Sequence, residues 1–235
     1  MSNMNAITID VDWAPKPVIE DTLSLLDERD ITATVFSTHD DGIQLSGHER
    51  AIHPNFAGSE SYDESLDTLL SLYPEAVGAR SHRLHTTTQL KMDYPTEICY
   101  ESNYLMFGVE EIRPFRHLED VVQFPIYFMD DVWLRHGKPS MDFARELARD
   151  SLTVLAFHPI HIYLNTPRIE YYEQRKDIYH EPDALRAERS DEFGIRDLFT
   201  SLLDTIVAEN LSVDTLETVR RRITNSAKQP VIDRD

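Results

Sequence analysis

The chain of 235 residues is 41% hydrophobic and 28% charged, and its 23 Lys+Arg against 42 Asp+Glu leave a formal charge of -19. With no basic stripe to meet phosphates, such a chain is a poor fit for nucleic acid or an anionic membrane surface, while its apolar share suffices for a sizeable core. The single cysteine, Cys99, excludes an internal disulfide framework. No run approaches the roughly 18 apolar residues of a membrane helix, and Met1-Ser2-Asn3-Met4-Asn5 lacks the features of a signal peptide, so a cytoplasmic location is expected.

Ile7-Thr8-Ile9-Asp10-Val11-Asp12-Trp13 reads as the first strand. Strand alternation puts Thr8, Asp10 and Asp12 on one side and Ile7, Ile9 and Val11 on the other. Two like charges at the end of a buried strand cost free energy unless a cation or proton compensates them, so this pair is the first place to seek a metal or an acid/base couple. The plainer alternative is a strand end with solvated aspartates. A helix from Pro17 to about Asp30 follows, then a strand over Ile31–Phe36 and a short strand ending at His53 before Pro54. A helix is expected over Tyr62–Tyr73, a strand over 77–82 and a helix from Thr88 to near Pro95. Strands are expected over Ile98–Tyr100 and Phe124–Met129, the latter ending in Asp130-Asp131. Helical spacing covers Met141–Arg149, and the apolar strand Leu152–Phe157 leads into His158.

Residues 159–193 read as a surface excursion or lid, whose Tyr163, Tyr171, Tyr172 and Tyr179 either stack on a sugar or pack the lid. An amphipathic helix over Ile195–Val207, a short strand over Leu211–Val213 and a helix over Thr215–Ile223 complete the pattern, with a frayed tail from Thr224. Alternation of strand and helix without a linker or repeat predicts one parallel α/β domain over residues 1–235.

The residues able to do chemistry fall at strand C-termini: Asp10 and Asp12, His53, Arg80 and His82, Asp130 and Asp131, His158. In α/β barrels that face carries the active site. Asp12, His53 and His82 supply a carboxylate and two imidazoles, the donor set of a catalytic zinc with one position open for water, whose pKa the metal would lower. Asp10 is then the candidate base, His158 the candidate acid, and Arg80 the partner holding Asp10 ionised. His85 competes with His82 as ligand, and His161 competes with His158. His39, His117, His136 and His180 read as surface or local hydrogen-bonding residues, and His48 as structural.

At these residues, over roughly 5–217, the sequence resembles the polysaccharide deacetylase superfamily, the NodB-homology or carbohydrate esterase family 4 group. The resemblance implies a distorted (β/α)7 barrel that removes acyl groups, N-acetyl above all, from a sugar or polysaccharide precursor with Zn2+ or another divalent transition metal. Asp10-Val11-Asp12 stands for the family's Asp pair, with Asp10 as base and Asp12 as ligand. His53, after Gly47-His48-Glu49, stands for its first ligand histidine. The second would lie four residues on, where this sequence has Ala57, and His82 of Arg80-Ser81-His82 is the replacement. Asp131-Val132-Trp133 resembles the segment lining the acetyl pocket and Phe157-His158 the motif of the catalytic histidine. By the same resemblance Trp133, Asp131, His161 and Asn55 are expected to contact substrate.

Two further functions fit parts of the pattern. A haloacid-dehalogenase-like, Mg-dependent phosphatase also opens on strand-Asp-x-Asp, although Ala14 stands where Thr or Val is expected and magnesium does not call for histidines at three strand ends. The substitution at Ala57 equally fits a deacetylase-like glycan-binding protein without turnover.

Overall fold

The computed structural model describes residues 4–57, 61–92, 94–116 and 121–227. In chain order the elements are β1 (Met4–Asp10), α1 (Lys16–Asp27), β2 (Thr34–Ser37), β3 (Glu49–Ile52), α2 (Tyr62–Leu72), β4 (Gly78–Ala79), α3 (Thr88–Met92), β5 (Tyr100–Glu101), β6 (Phe115–Arg116) and β7 (Val122–Gln123). They continue with β8 (Phe128–Met129), α4 (Asp130–Arg135), α5 (Phe143–Ala148), β9 (Leu152–Phe157), α6 (Pro159–Leu164), α7 (Ile169–Glu173), α8 (Pro182–Ala187), α9 (Ile195–Ala208) and α10 (Leu216–Ala227). The strands form one nine-stranded sheet ordered β6-β7-β5-β4-β3-β2-β1-β9-β8. Every neighbouring pair is parallel except β6–β7.

β1 lies between β2 and β9, in register from Met4 opposite Leu152 to Ile9 opposite Phe157. Layers on both faces bury it from Asn5 to Asp10, the polar Asn5, Thr8 and Asp10 included. Its neighbour β9 is buried along its whole length. The main core joins these strands to α1, α6 and α9, and a smaller cluster of Ile52, Phe56, Leu66, Leu69 and Leu90 lies under α2 and α3. The parallel strands leave their C-terminal ends at one mouth, where the candidate residues sit, with antiparallel β6 the exception.

Several elements differ from expectation for local reasons. α1 stops at Asp27 because Asp30 turns left-handed (φ 53°) and Ile31 N–H closes back on Leu26 O at 3.1 Å. The strand expected over 124–129 is interrupted at Pro125, which has no N–H for a ladder, and only Phe128–Met129 continue as β8. Asp130 and Asp131 therefore open helix α4 instead of ending a strand, which suits carboxylates in a first turn. Residues 211–213 are not a strand; Leu211 N–H caps Ile206 O and Asp214 N–H reaches Asn5 O. α10 runs past Thr224 to Ala227, while His117 and the tail from 228 lie outside the described residues. In the stretch read as a surface excursion, α6 is buried at all six positions, with α7, a 3-10 turn and α8 following it.

Candidate active site

Backbone bonds carried one step past the ladders place the functional side chains. His53 N–H donates to Ser37 O at 2.8 Å, Arg80 N–H to Ile52 O at 3.0 Å and His82 N–H to Pro54 O at 2.9 Å. The chain leaves β1 through two consecutive left-handed residues, Asp12 (φ 46°) and Trp13 (φ 58°). Side chains cost energy in that region unless their surroundings hold them there. Here Trp13 N–H donates to Thr38 Oγ1 at 2.9 Å, and the Tyr179 hydroxyl donates to the Asp12 carbonyl at 2.6 Å.

Asp12 Oδ1 lies 3.0 Å from His53 Nε2 and 3.2 Å from His82 Nδ1. The three donor atoms fall within 4.8 Å of one another. Bonds of about 2.0–2.2 Å in a tetrahedron put ligand atoms roughly 3.3–3.5 Å apart, so this donor set fits a small divalent cation. Burial alone would raise the Asp12 pKa, but the hydrogen bonds from both imidazoles and the charge of His158 outweigh it and hold the carboxyl well below its usual range. His85 is turned away, its Nε2 3.1 Å from the Tyr62 hydroxyl. Ala57 is an exposed turn residue whose N–H donates to Asn55 Oδ1.

Asp10, 2% exposed, is held by a fully buried guanidinium: Arg80 Nη1 donates to Asp10 Oδ1 and to Thr8 Oγ1, each at 2.7 Å. Arg80 also donates to Ser102 O and Oγ and lies 4.3 Å over the Phe36 ring. Four of its five N–H groups are thereby bonded, around a charge that would otherwise be costly to bury. Thr8 and Asp10 do share the face that strand alternation predicts.

Across the mouth, His158 N–H donates to Asp130 Oδ2 at 2.8 Å and its Nδ1 lies 2.6 Å from Asp130 Oδ1. Its Nε2 is 3.7 Å from Asp12 Oδ2. Burial pulls the His158 pKa down, but the charge and hydrogen bond of Asp130, helped by Asp12, dominate and raise it well above the ordinary imidazole value. Asp130 resists the upward pull of its own burial and is lowered by the same pair. His161 is lowered by burial, with the nearby charge of His158 adding to it. The two imidazoles are thus pushed in opposite directions, and His161 Nδ1 lies 3.2 Å from Thr166 Oγ1. Asp130, His158 and His161 also have metal-ligand spacing, but Asp130 already gives both oxygens to His158.

A cavity of about 350 Å³ opens over this centre. Asp10, Asp12, His53, His82, Asp131 and His158 line it, as do Trp13, Arg83, Tyr172 and Tyr179, to which the sequence reading assigned no definite role. Three residues expected to touch substrate are not in its wall. Trp133 is buried and spends its indole N–H on Pro139 O at 2.9 Å. His161 is buried behind His158, and Asn55 caps its own turn. Asp131 does line the cavity, with Oδ1 shut from solvent and without a hydrogen-bond partner. Asp130, its neighbour, is the partner of His158 that sequence reading missed; the signal available was adjacency at an element boundary.

Comparisons with known proteins identify the family and the fold. A model of the WbmS-like polysaccharide deacetylase family matches residues 7–176. A protein of Bordetella bronchiseptica, described as a polysaccharide deacetylase involved in O-antigen biosynthesis, is similar at 31% identity over 87% of this chain and 90% of its own, with a TM-score of 0.75. The Xyl-CE4 domain of a multidomain xylanase from the hindgut metagenome of Trinervitermes trinervoides shares the fold at 10% identity, covering 95% of this chain and 92% of that domain, with a TM-score of 0.51. A search of curated proteins returned no match. The chain belongs to the WbmS-like polysaccharide deacetylase family, and its fold is the distorted, curled barrel of the NodB-homology group. The haloacid-dehalogenase alternative falls with that membership.

Proposed function

We propose that the protein is a metal-dependent hydrolase that removes an acyl group, N-acetyl in the first instance, from a sugar or polysaccharide precursor. The observation that carries this reading is the convergence of Asp12, His53 and His82 on one point, with Asp10 and His158 lining the same small cavity. Asp12, His53 and His82 would hold the cation, and two imidazoles with one carboxylate favour zinc. A divalent ion held there would supply the lowered pKa of a water and the polarisation of an acyl carbonyl. Asp10, oriented by the hydrogen bond from Arg80, accepts the proton of the attacking water. His158, protonated against Asp130, gives a proton to the leaving amine or alcohol. Tyr172, Tyr179 and Trp13 offer apolar faces to a sugar ring, and Asp131 offers an acceptor to its hydroxyl or amide N–H. The O-antigen relative supports a role in making cell-surface polysaccharide.

The test joins elemental analysis to acyl release from acylated sugars. Asp12→Ala is expected to empty the metal site. Asp10→Asn is expected to keep the metal but lower turnover by roughly 100-fold or more, the usual cost of losing a general base. Equal metal loss in both variants would overturn this division of labour. A filled site that binds sugar without acyl release would point instead to the non-catalytic, glycan-binding reading.

A further inference from the structure

Arg83 follows a candidate ligand directly in sequence, yet nothing in the chemistry above uses it. It sits in the 3-10 turn His82–Leu84 with a left-handed backbone (φ 59°, ψ 22°), and Leu84 is left-handed as well (φ 54°). The turn is tied down on both sides. Leu84 N–H donates to Ser81 O at 2.9 Å and Ser81 Oγ to His85 O at 2.5 Å, while Ser81 N–H donates to Asn103 Oδ1 at 2.8 Å. A residue with a long side chain is therefore held where glycine would be less strained, a condition that recurs at ligand-contacting positions. The Arg83 side chain is exposed and lines the cavity, and among the described residues it makes no ion pair or hydrogen bond.

The other charged groups of the wall are committed or negative. Asp10 is matched by Arg80, Asp12 faces two imidazoles, His158 is bonded to Asp130, and Asp131 carries the unpartnered oxygen. Arg83 is the one Lys or Arg among the lining residues described. On a chain with a formal charge of -19, the general field repels anions. A lone guanidinium at the mouth reverses that field locally and matches phosphate or carboxylate oxygens in a two-pronged hydrogen bond. The cavity of about 350 Å³ is near the lower end of the roughly 300–1,000 Å³ typical of small-molecule sites, room for one acylated ring and a charged substituent rather than a run of polymer.

We propose that Arg83 is a specificity-determining residue that binds an anionic group on the acylated sugar, so that the substrate class is a single acylated sugar unit bearing a phosphate or a carboxylate. This rests on the hydrolase reading for its chemistry but not for its test, because binding needs no turnover. The shared chemistry has two sources, the phosphate of an activated or carrier-linked sugar and the carboxylate of a ring acid.

Calorimetric titration of the intact protein with N-acetylglucosamine, its 1-phosphate and an N-acetylated aminouronic acid separates them. At least one anionic probe is expected to bind about tenfold or more tighter than the neutral sugar, the worth of one charge-assisted hydrogen bond. Arg83→Gln should collapse that ratio towards one, Arg83→Lys should restore part of it, and added salt should shrink it in the parent protein. Tighter binding of the phosphate alone identifies an activated or carrier-linked sugar; of the uronic acid alone, a ring acid. A ratio near one in the parent protein, or a ratio untouched by Arg83→Gln, overturns the proposal. Anion-selective binding without acyl release from any probe would instead sink the hydrolase reading and leave this one standing. Equal acyl release and equal binding with neutral and charged sugars would do the reverse.

Discussion

His158 shows at the scale of one residue how burial and charge compete. Removing an imidazolium from water favours the neutral ring, yet Asp130, wholly buried and bonded to both the ring and the backbone N–H of His158, reverses the balance. A residue that must donate a proton near neutral pH gains from that reversal, since the acid form persists above the ordinary imidazole range. The His158 share of folding stability is complete below the unfolded pKa of about 6.5 and is lost as pH rises through the raised folded value. Asp130, whose pKa is lowered, adds stability above about 3.9 that is lost as pH falls through its folded value. Asp130→Asn removes the charge that raises His158. The alkaline fall of the acyl-release rate is therefore expected to move to lower pH, with metal content unchanged. A pH–rate profile checks this, and an alkaline limb that stays in place would show that His158 is not the acid.

At the scale of elements, the helical stretch after β9 acts on the strand ends rather than merely covering them. Tyr179 belongs to it, and its hydroxyl reaches the carbonyl of Asp12 in the left-handed turn that aims the carboxylate. Its proton is firmly kept, because burial and then the charge of Asp12 raise its pKa. Tyr179→Phe leaves the ring in place and removes that one bond. Metal affinity is expected to weaken by about tenfold, as for other residues that orient a ligand from behind, with little change in thermal stability. Competition with a chromophoric chelator measures it, and an unchanged affinity would mean that Thr38 and the turn suffice.

This coupling also marks the limit of what the chain discloses on reading. The fold was legible in the alternation of apolar strands and amphipathic helices. Asp10, Asp12, His53, His82 and His158 sit where strand patterns stop, whereas Arg83, Tyr172 and Tyr179 join them at the mouth from turns and helices. The turn at Asp12-Trp13 was not legible, because left-handed backbone in a non-glycine residue is imposed by distant partners such as Thr38 and Tyr179. Asp130 and Asp131 are indistinguishable in sequence. Which of them faces His158 depends on α4 beginning one residue earlier than a strand through 130 would allow. Trp133 looks like a pocket aromatic until Pro139 O claims its N–H.

For the whole molecule, the sheet separates chemistry at one end of its strands from stability at the other. Glu49 opens β3, and His53 comes one residue after its end. At about 3.3 Å per residue the two lie roughly 13 Å apart along the strand direction. The Glu49 carboxylate accepts the Tyr100 hydroxyl at 2.5 Å, the Thr34 hydroxyl at 2.8 Å and Glu217 N–H at 3.0 Å. It thus joins β2, β3, β5 and the start of α10 at the foot of the barrel, while Thr34 Oγ1 also accepts Leu216 N–H at 2.9 Å. Burial raises the Glu49 pKa despite these bonds, so this group favours the fold most at low pH and loses that contribution as pH rises through its folded value. Glu49→Ala would strand three donors where water has little access, at a cost of roughly 1–3 kcal/mol for each one left unsatisfied. Chemical denaturation should register a loss of at least that size, and α10 should become the first segment to exchange its amide hydrogens. The affinity for metal in the folded fraction should stay as it was, since no bond of this network reaches Asp12, His53 or His82. If the same substitution loosened the metal in proportion to the lost stability, the two ends of the barrel would be one cooperative unit, and substitutions at Asp130 and Tyr179 would be felt at the foot of the sheet.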